Sequence, residues 1–351
     1  MECFKWKICG KISVNSSGAA GISGREETMS KEIIWLEPVL KKKIWGGERL
    51  IKEFHYAESG SGIGECWGIS AHPHGDCVVQ EGPFKGMPLS RLYEEHRELF
   101  GPVQSDRFPL LVKIIDAKQD LSVQVHPDDE YAREHENGSL GKTECWYVLD
   151  AAPNATIIIG HNAKTKAEAE RMVRKGRFSE FLREIPVHKG DFFVIEPGVV
   201  HSIKAGTLIL ETQENSDITY RFYDYDRVRN GVKRELHIDR SLDVIVCPFR
   251  ETELHPVITR IGSSEIETLV SIPDFTVDRI TVEGNLTLDS GDTFVNLSVT
   301  DGDGTIDGVP IRKGSHLIVP YGYGSYELSG KMEVFRSTVP CKYENPAEQP
   351  E

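Results

Sequence analysis

No run of eighteen apolar residues occurs in the chain, so no helical membrane span is expected. The N-terminal stretch lacks a long apolar core, which argues against a secretory signal. No Cys-x-x-Cys pair occurs. The seven cysteines, Cys3, Cys9, Cys66, Cys77, Cys145, Cys247 and Cys341, are odd in number and widely spaced. That excludes a disulfide framework and reads as reduced thiols in a cytoplasmic protein. Positive charge is also short: 41 Lys and Arg face 55 Asp and Glu, a net charge of −14. Such a chain has no basic stripe for phosphate backbones, so it is no general nucleic-acid binder. It also repels phosphorylated small molecules at long range, and a local cluster of Lys and Arg would have to overcome that field.

What is present is ordinary globular composition, with 39% hydrophobic and 27% charged residues in 351. Disordered, collagen-like and coiled-coil chains are excluded, and two unequal domains are expected. Residues 1–28 have no strong period and carry a small-residue run, SSGAAGISG, typical of a flexible extension; Met29 opens a segment that reads like an ordinary start. From there strand signals dominate. LLVKIID (110–116), LSVQVHP (121–127), TECWYVLD (143–150), ATIIIG (155–160), DFFVIEP (191–197), GTLILETQ (206–213) and ITYRFYDY (218–225) are short, β-branched or aromatic, and bounded by turn residues. They lack βαβ alternation, which argues for an antiparallel sandwich or barrel.

Helices are expected over 89–100 and 127–137, the second with Pro127 at its first position, and a small helical insertion over about 163–185. After Cys247-Pro248 the pattern becomes almost purely β. The expected organisation is therefore an extension (1–28), a domain with the insertion (29–247), a second β domain (248–345) and a tail (346–351). The segment 190–203 (GDFFVIEPGVVHSI) is echoed by 314–328 (GSHLIVPYGYGSYEL), with Gly324 or Ser325 where the first copy has His201. A duplicated β domain that keeps its chemistry in the first copy explains the echo.

Alternate residues of a strand share a face. Gln124 and His126 therefore point one way, as do Lys142 and Glu144, and Glu211 and Gln213. Polar groups gathered on one side of several strands suit a barrel whose interior is a site. Two imidazoles and a carboxylate, His126, Glu144 and His201, suit Zn²⁺ with Gln124 as a further oxygen donor, and equally suit Fe²⁺. Taken singly, each is an ordinary strand residue. His72 and His74 in AHPHG look like a metal pair but have no carboxylate pattern nearby. His55, His96, His135, His161, His188, His237, His255 and His316 read as surface or turn residues, and Cys145 as a buried core thiol.

Together these segments resemble a known family. LEPVLKKKIWGGERL (36–50), GECWGIS (64–70), LLVKIIDAKQDLSVQVHPDDEYA (110–132), GKTECWYVLDA (141–151), GDFFVIEPGVVHSI (190–203) and ETQENSDITYRFYDYDR (211–227) resemble the short bacterial form of type I mannose-6-phosphate isomerase, over about residues 29–345. The resemblance implies a mainly β fold of two cupin-type jelly-roll barrels, the second without metal, and one Zn²⁺ held by His126, Glu144 and His201 with Gln124 where longer members have a fourth ligand. It implies an active-site Arg221, pocket lysines Lys113 and Lys142, and a pocket carboxylate Glu211. It further implies a zinc-dependent aldose–ketose isomerase that interconverts mannose 6-phosphate and fructose 6-phosphate through an enediol. A sugar-phosphate-binding cupin without turnover and an iron-dependent cupin oxygenase are the competing readings. One departure stands out: Gly68 occupies a position where an acid is common in the family.

Overall fold

The computed structural model describes residues 32–56, 60–229 and 231–341. The extension 1–28 and the tail 346–351 lie outside the described residues. The chain is mainly β, and antiparallel pairing joins its sheets. A six-stranded sheet runs in the order Phe192–Ile195, Glu144–Ala151, Thr207–Glu214, Leu110–Ala117, Val39–Gly47, Ile63–Ile69. A five-stranded sheet runs Leu182–Pro186, Thr156–His161, His201–Ile203, Val123–Val125, Tyr220–Tyr223. The two face each other across an apolar layer that includes Ile115, Val148, Ile209, Ile157, Ile159 and Ile203.

Period-two alternation explains that layer. In Leu110–Ala117, the inward residues are Lys113, Ile115 and Ala117; the outward ones, such as Val112 and Ile114, join a second cluster with Phe275, Val277 and Phe335. That second cluster attaches the sheet built from 257–338, whose long strands Thr276–Asp289, Val295–Ile306 and Ser325–Thr338 lie side by side. Tyr147 packs on Phe335 with ring centroids 4.7 Å apart. The C-terminal sheet is not made of C-terminal residues alone. Ile34–Glu37 pairs with His316–Val319 on one side and Val78–Val79 on the other.

The two echoed segments fold alike, as strand, turn and strand, with Gly190 and Gly314 both at positive φ (94° and 91°). Asp128 caps the helix Asp129–His135 by accepting the Tyr131 N–H at 2.8 Å, so Pro127 stands before the cap instead of at the first helical position. The insertion also differs from expectation. Its helices are Lys166–Arg174 and Phe178–Phe181, but Leu182–Pro186 is a strand at the sheet edge, paired with Thr156–His161. Pairing with an open edge satisfies its backbone, and Pro186 is tolerated there. The helices cover the outer face of the five-stranded sheet through Met172, Val173, Phe181 and Phe222.

Candidate active site and metal centre

Strand register assembles the site from two ladder rows. In the six-stranded sheet Trp67 pairs with Lys113, Lys113 with Glu211, and Glu211 with Trp146. Gln213 pairs with Glu144 one step along. In the five-stranded sheet Arg221 pairs with Gln124, and Gln124 with His201. Paired residues share a face, so both rows turn polar groups toward the space between the sheets.

At the centre, His126, Glu144 and His201 are buried. His126 Nδ1 donates to the Ile218 carbonyl at 2.7 Å, and His201 Nδ1 to the Val199 carbonyl at 2.8 Å. These bonds leave each Nε2 as a bare lone pair. The two Nε2 atoms lie 3.1 Å apart, and 3.5 and 3.4 Å from the two Glu144 oxygens. Neither Glu144 oxygen has a hydrogen-bond partner; Lys142 Nζ approaches Oε2 at 2.7 Å without hydrogen-bond geometry. Lys142 Nζ offsets one side of this cluster; the other carboxylate oxygen and the His201 lone pair, buried together, are costly unless a further cation sits among them. The donor set therefore fits a divalent metal. The Gln124 amide end lies 3.2 Å from His201 Nε2 and, turned about its last bond, offers its oxygen to the same point.

Around this centre the charges are paired. Burial opposes the charge on Lys113, but Glu211 and Glu65 outweigh it and raise its pKa. Lys113 Nζ donates to Glu211 Oε1 at 2.9 Å and also to Gln213 Oε1. Trp146 Nε1 donates to Glu211 Oε2 at 2.9 Å. Burial works against ionisation of Glu211, yet Lys113 and Lys142 hold its carboxyl below the usual range. Burial drives the His201 imidazole down to about 3, so its ring is neutral. Lys142 comes from the loop before its strand, its N–H bonded to the Pro127 carbonyl, and its Nζ lies 3.2 Å from His126 Nε2.

Lys113, Lys142, Glu144, Glu211, His126, His201 and Gln124 come together between the two sheets. Arg221 stands at the end of its row, half-buried. Its Nη1 donates to the Glu235 carbonyl at 2.9 Å and its Nε to Ser122 Oγ at 3.3 Å. Trp146, Trp67 and Ser122 were not singled out by sequence reasoning. The available signal was alternation, since Trp146 is two residues from Glu144 and Ser122 two from Gln124. A cavity of about 400 Å³ lies elsewhere, walled by Trp35, Tyr56, Lys313 and His316 and by none of these residues.

Residues 33–156 match the family model described as phosphomannose isomerase type I, catalytic domain, and residues 265–339 the mannose-6-phosphate isomerase cupin domain. Mannose-6-phosphate isomerase ManA of Bacillus subtilis is 47% identical over 313 residues, covering 87% of this chain and 98% of the relative. The chain belongs to the type I mannose-6-phosphate isomerase family. The mannose-6-phosphate isomerase of Streptococcus mutans is 46% identical over 311 residues, covering 87% of this chain and 98% of its own. The crystal structure of mannose 6-phosphate isomerase from Bacillus subtilis superposes with a TM-score of 0.86 at 42% identity, covering 88% of this chain and 99% of that one. The chain is therefore an enzyme of the mannose-6-phosphate isomerase type, with a cupin architecture.

Several bland readings of the sequence need correction within this isomerase. His316 and His161 are buried, not surface residues. His316 Nδ1 pairs with Ser298 Oγ and its Nε2 with Tyr56 Oη, each at 2.8 Å. A Cβ on Gly68 would come within 2.3 Å of the His316 ring, which explains why no acid fits there. His72 and His74 do have a carboxylate beside them, Asp217, supplied from 143 residues further along the chain. Cys145 is a buried thiol of the outer-face cluster, pushed up by burial, as expected.

Proposed function

We propose that this isomerase interconverts mannose 6-phosphate and fructose 6-phosphate, with one Zn²⁺ held by His126, Glu144 and His201 and with Gln124 as an added donor. The observation that carries the metal reading is the buried meeting of two Nε2 lone pairs with both Glu144 oxygens. When bound, Zn²⁺ supplies electrophilic stabilisation of negative charge on a sugar oxygen.

The remaining chemistry belongs to the chain. In the open-chain aldose, a base takes the proton from C2 and the C1 carbonyl electron pair moves to O1, giving an enediolate. O1 takes up the proton that leaves the O2 hydroxyl, and the base returns its proton to C1 as O2 becomes the carbonyl of the ketose. We assign the base to Glu211, which Lys113 and Lys142 keep ionised and thereby also make weaker than a free carboxylate. Lys142 Nζ, beside the metal ligands, suits a developing charge on O1 or O2. Arg221, whose contacts are to neutral groups, is the cation that offsets the field of an acidic chain toward a phosphorylated sugar. The free thiols Cys66, Cys77, Cys145, Cys247 and Cys341 support a cytoplasmic setting; among the described residues no helix is long and apolar enough to cross a membrane. We take 29–247 as the part that carries the chemistry and 248–345 as the second barrel that braces it.

The test couples fructose 6-phosphate formation to a reporter, before and after chelation. Activity lost on chelation and restored by Zn²⁺ is the expected outcome. A fully metallated protein without activity on mannose 6-phosphate sinks the substrate reading, and activity that survives complete metal removal sinks the metal reading.

A further inference from the structure

The short hairpin Ala71–His72 and Gly75–Asp76 turns through Pro73 and His74. The turn sets the rings of His72 and His74 5.0 Å apart. Asp217 reaches both from the segment before Tyr220–Tyr223. Its Oδ1 lies 3.3 Å from His72 Nε2 and its Oδ2 2.5 Å from His74 Nδ1. Burial opposes its charge, but the bonds to His72 and His74 outweigh it and hold the carboxyl well below the usual range. One donor atom from each residue lies within 4.8 Å of the others. None of the three belongs to the inner centre.

We propose that His72, His74 and Asp217 form a second, outer site for a divalent transition metal. Two imidazoles and a carboxylate are a Zn²⁺ or Co²⁺ donor set, and bonds of about 2.0–2.1 Å in tetrahedral geometry place donors roughly 3.3 Å apart. The separation of His72 Nε2 from Asp217 Oδ1 already has that value, and the His74 contact is to the other oxygen, Oδ2. The His74–Asp217 separation has to widen by roughly 0.8 Å to reach the same geometry, and His74 is exposed and free to give way. The change is balanced in protons. His74 N–H donates to His72 Nδ1 at 3.1 Å, so in the metal-free form His72 turns Nε2–H toward Asp217. A cation takes Nε2, the ring proton moves to Nδ1, and the His74 amide turns to water. His74 likewise yields Nδ1 and keeps its proton on Nε2. Lys41, whose Nζ donates to the His74 carbonyl, is the nearby positive charge that works against the cation.

The outer site touches the inner one by two routes. His72 packs edge-on against Trp67 at 5.7 Å, and Trp67 lies under Lys113 Nζ at 5.4 Å. Asp217 adjoins Ile218, whose carbonyl orients His126. A bound cation would tie the hairpin to that segment.

The test is metal stoichiometry on the intact holoenzyme, by equilibrium dialysis against Co²⁺ with metal counted by atomic absorption and the bound ion read in the visible spectrum. Wild type is expected to hold one equivalent more than His74→Ala and Asp217→Asn, with the difference spectrum of a nitrogen–oxygen site. His74 is exposed, so His74→Ala keeps the test open should Asp217→Asn fail to fold. Equal stoichiometry in wild type and His74→Ala overturns the outer site. Glu144→Gln reports the inner site separately, since it should lose the other equivalent and leave this difference intact.

Discussion

Glu144 is fully buried with two oxygens that accept no hydrogen bond, a state a folded chain tolerates only with a compensating charge. Its neighbours show how the compensation is divided. Lys142 lies beside one oxygen, the two imidazoles offer lone pairs rather than protons, and Lys113 is committed to Glu211 and Gln213. Arg221 differs from all of these, because its contacts are to Ser122, to the Glu235 carbonyl and to His237. That placement, away from the donor atoms of the metal centre, underlies the proposal that Arg221 stabilises charge and does not hold metal. Arg221→Ala should lower kcat by about 10²-fold or more, the scale of losing one stabilising donor. Metal content, counted on the same preparation, should stay at the wild-type level. Metal lost in proportion to activity would make Arg221 structural.

The inner strands of the site are built to one plan. Three of them carry ionisable residues at one end of the inward face and largely apolar residues at the other: Lys113 then Ile115, Glu211 then Ile209, Glu144 then Trp146 and Val148. The apolar end packs the barrel shut and keeps water from the polar end, which strengthens the charge pairs there. The strand Ile63–Ile69 shows the reverse constraint on its outer face. Gly68 leaves room for the His316 ring, which arrives from the C-terminal sheet. Gly68→Ala should destabilise the fold by about 1–3 kcal/mol, the cost of overpacking. Adding His316→Ala should make the double variant more stable than the sum of the single effects. Additive losses in denaturant titration would mean that the two positions do not meet.

At the scale of the whole molecule, the C-terminal sheet packs on the outer face of the six-stranded sheet, and His316 lies where they meet. Burial takes its imidazole from 6.5 down to about 4. Between those values the unfolded chain binds a proton that the folded chain refuses, so stability falls as pH drops from about 6.5 to 4. The contribution is up to about 3 kcal/mol and is fully present above the unfolded pKa. His316→Asn should flatten the stability profile in that window, measured by urea unfolding at several pH values. An unchanged slope would place the titration elsewhere.

Much of the inner site was legible because several of its segments carry a polar pair at spacing two. Alternation placed Gln124 with His126 and Glu211 with Gln213, and the segments together pointed to the family. The histidines read as surface residues show where that reading stops. Nothing local to His316 or His161 marks burial, since groups that cover them, Tyr56 and Val246, come from distant parts of the chain. The Asp217 partner of His72 and His74 is 143 residues from His74 for the same reason.

By itself, the sequence determined the strand-rich class, the inward faces of the strands and the residue types able to hold a metal, because these follow from periodicity and donor chemistry along a local stretch. Only the tertiary structure decided which faces meet. It brought Glu144 from one sheet to His126 and His201 on the other, drew Ile34–Glu37 into the C-terminal sheet, and closed Gly68 against His316. Those outcomes rest on register and packing between segments far apart in the chain, which no local pattern records.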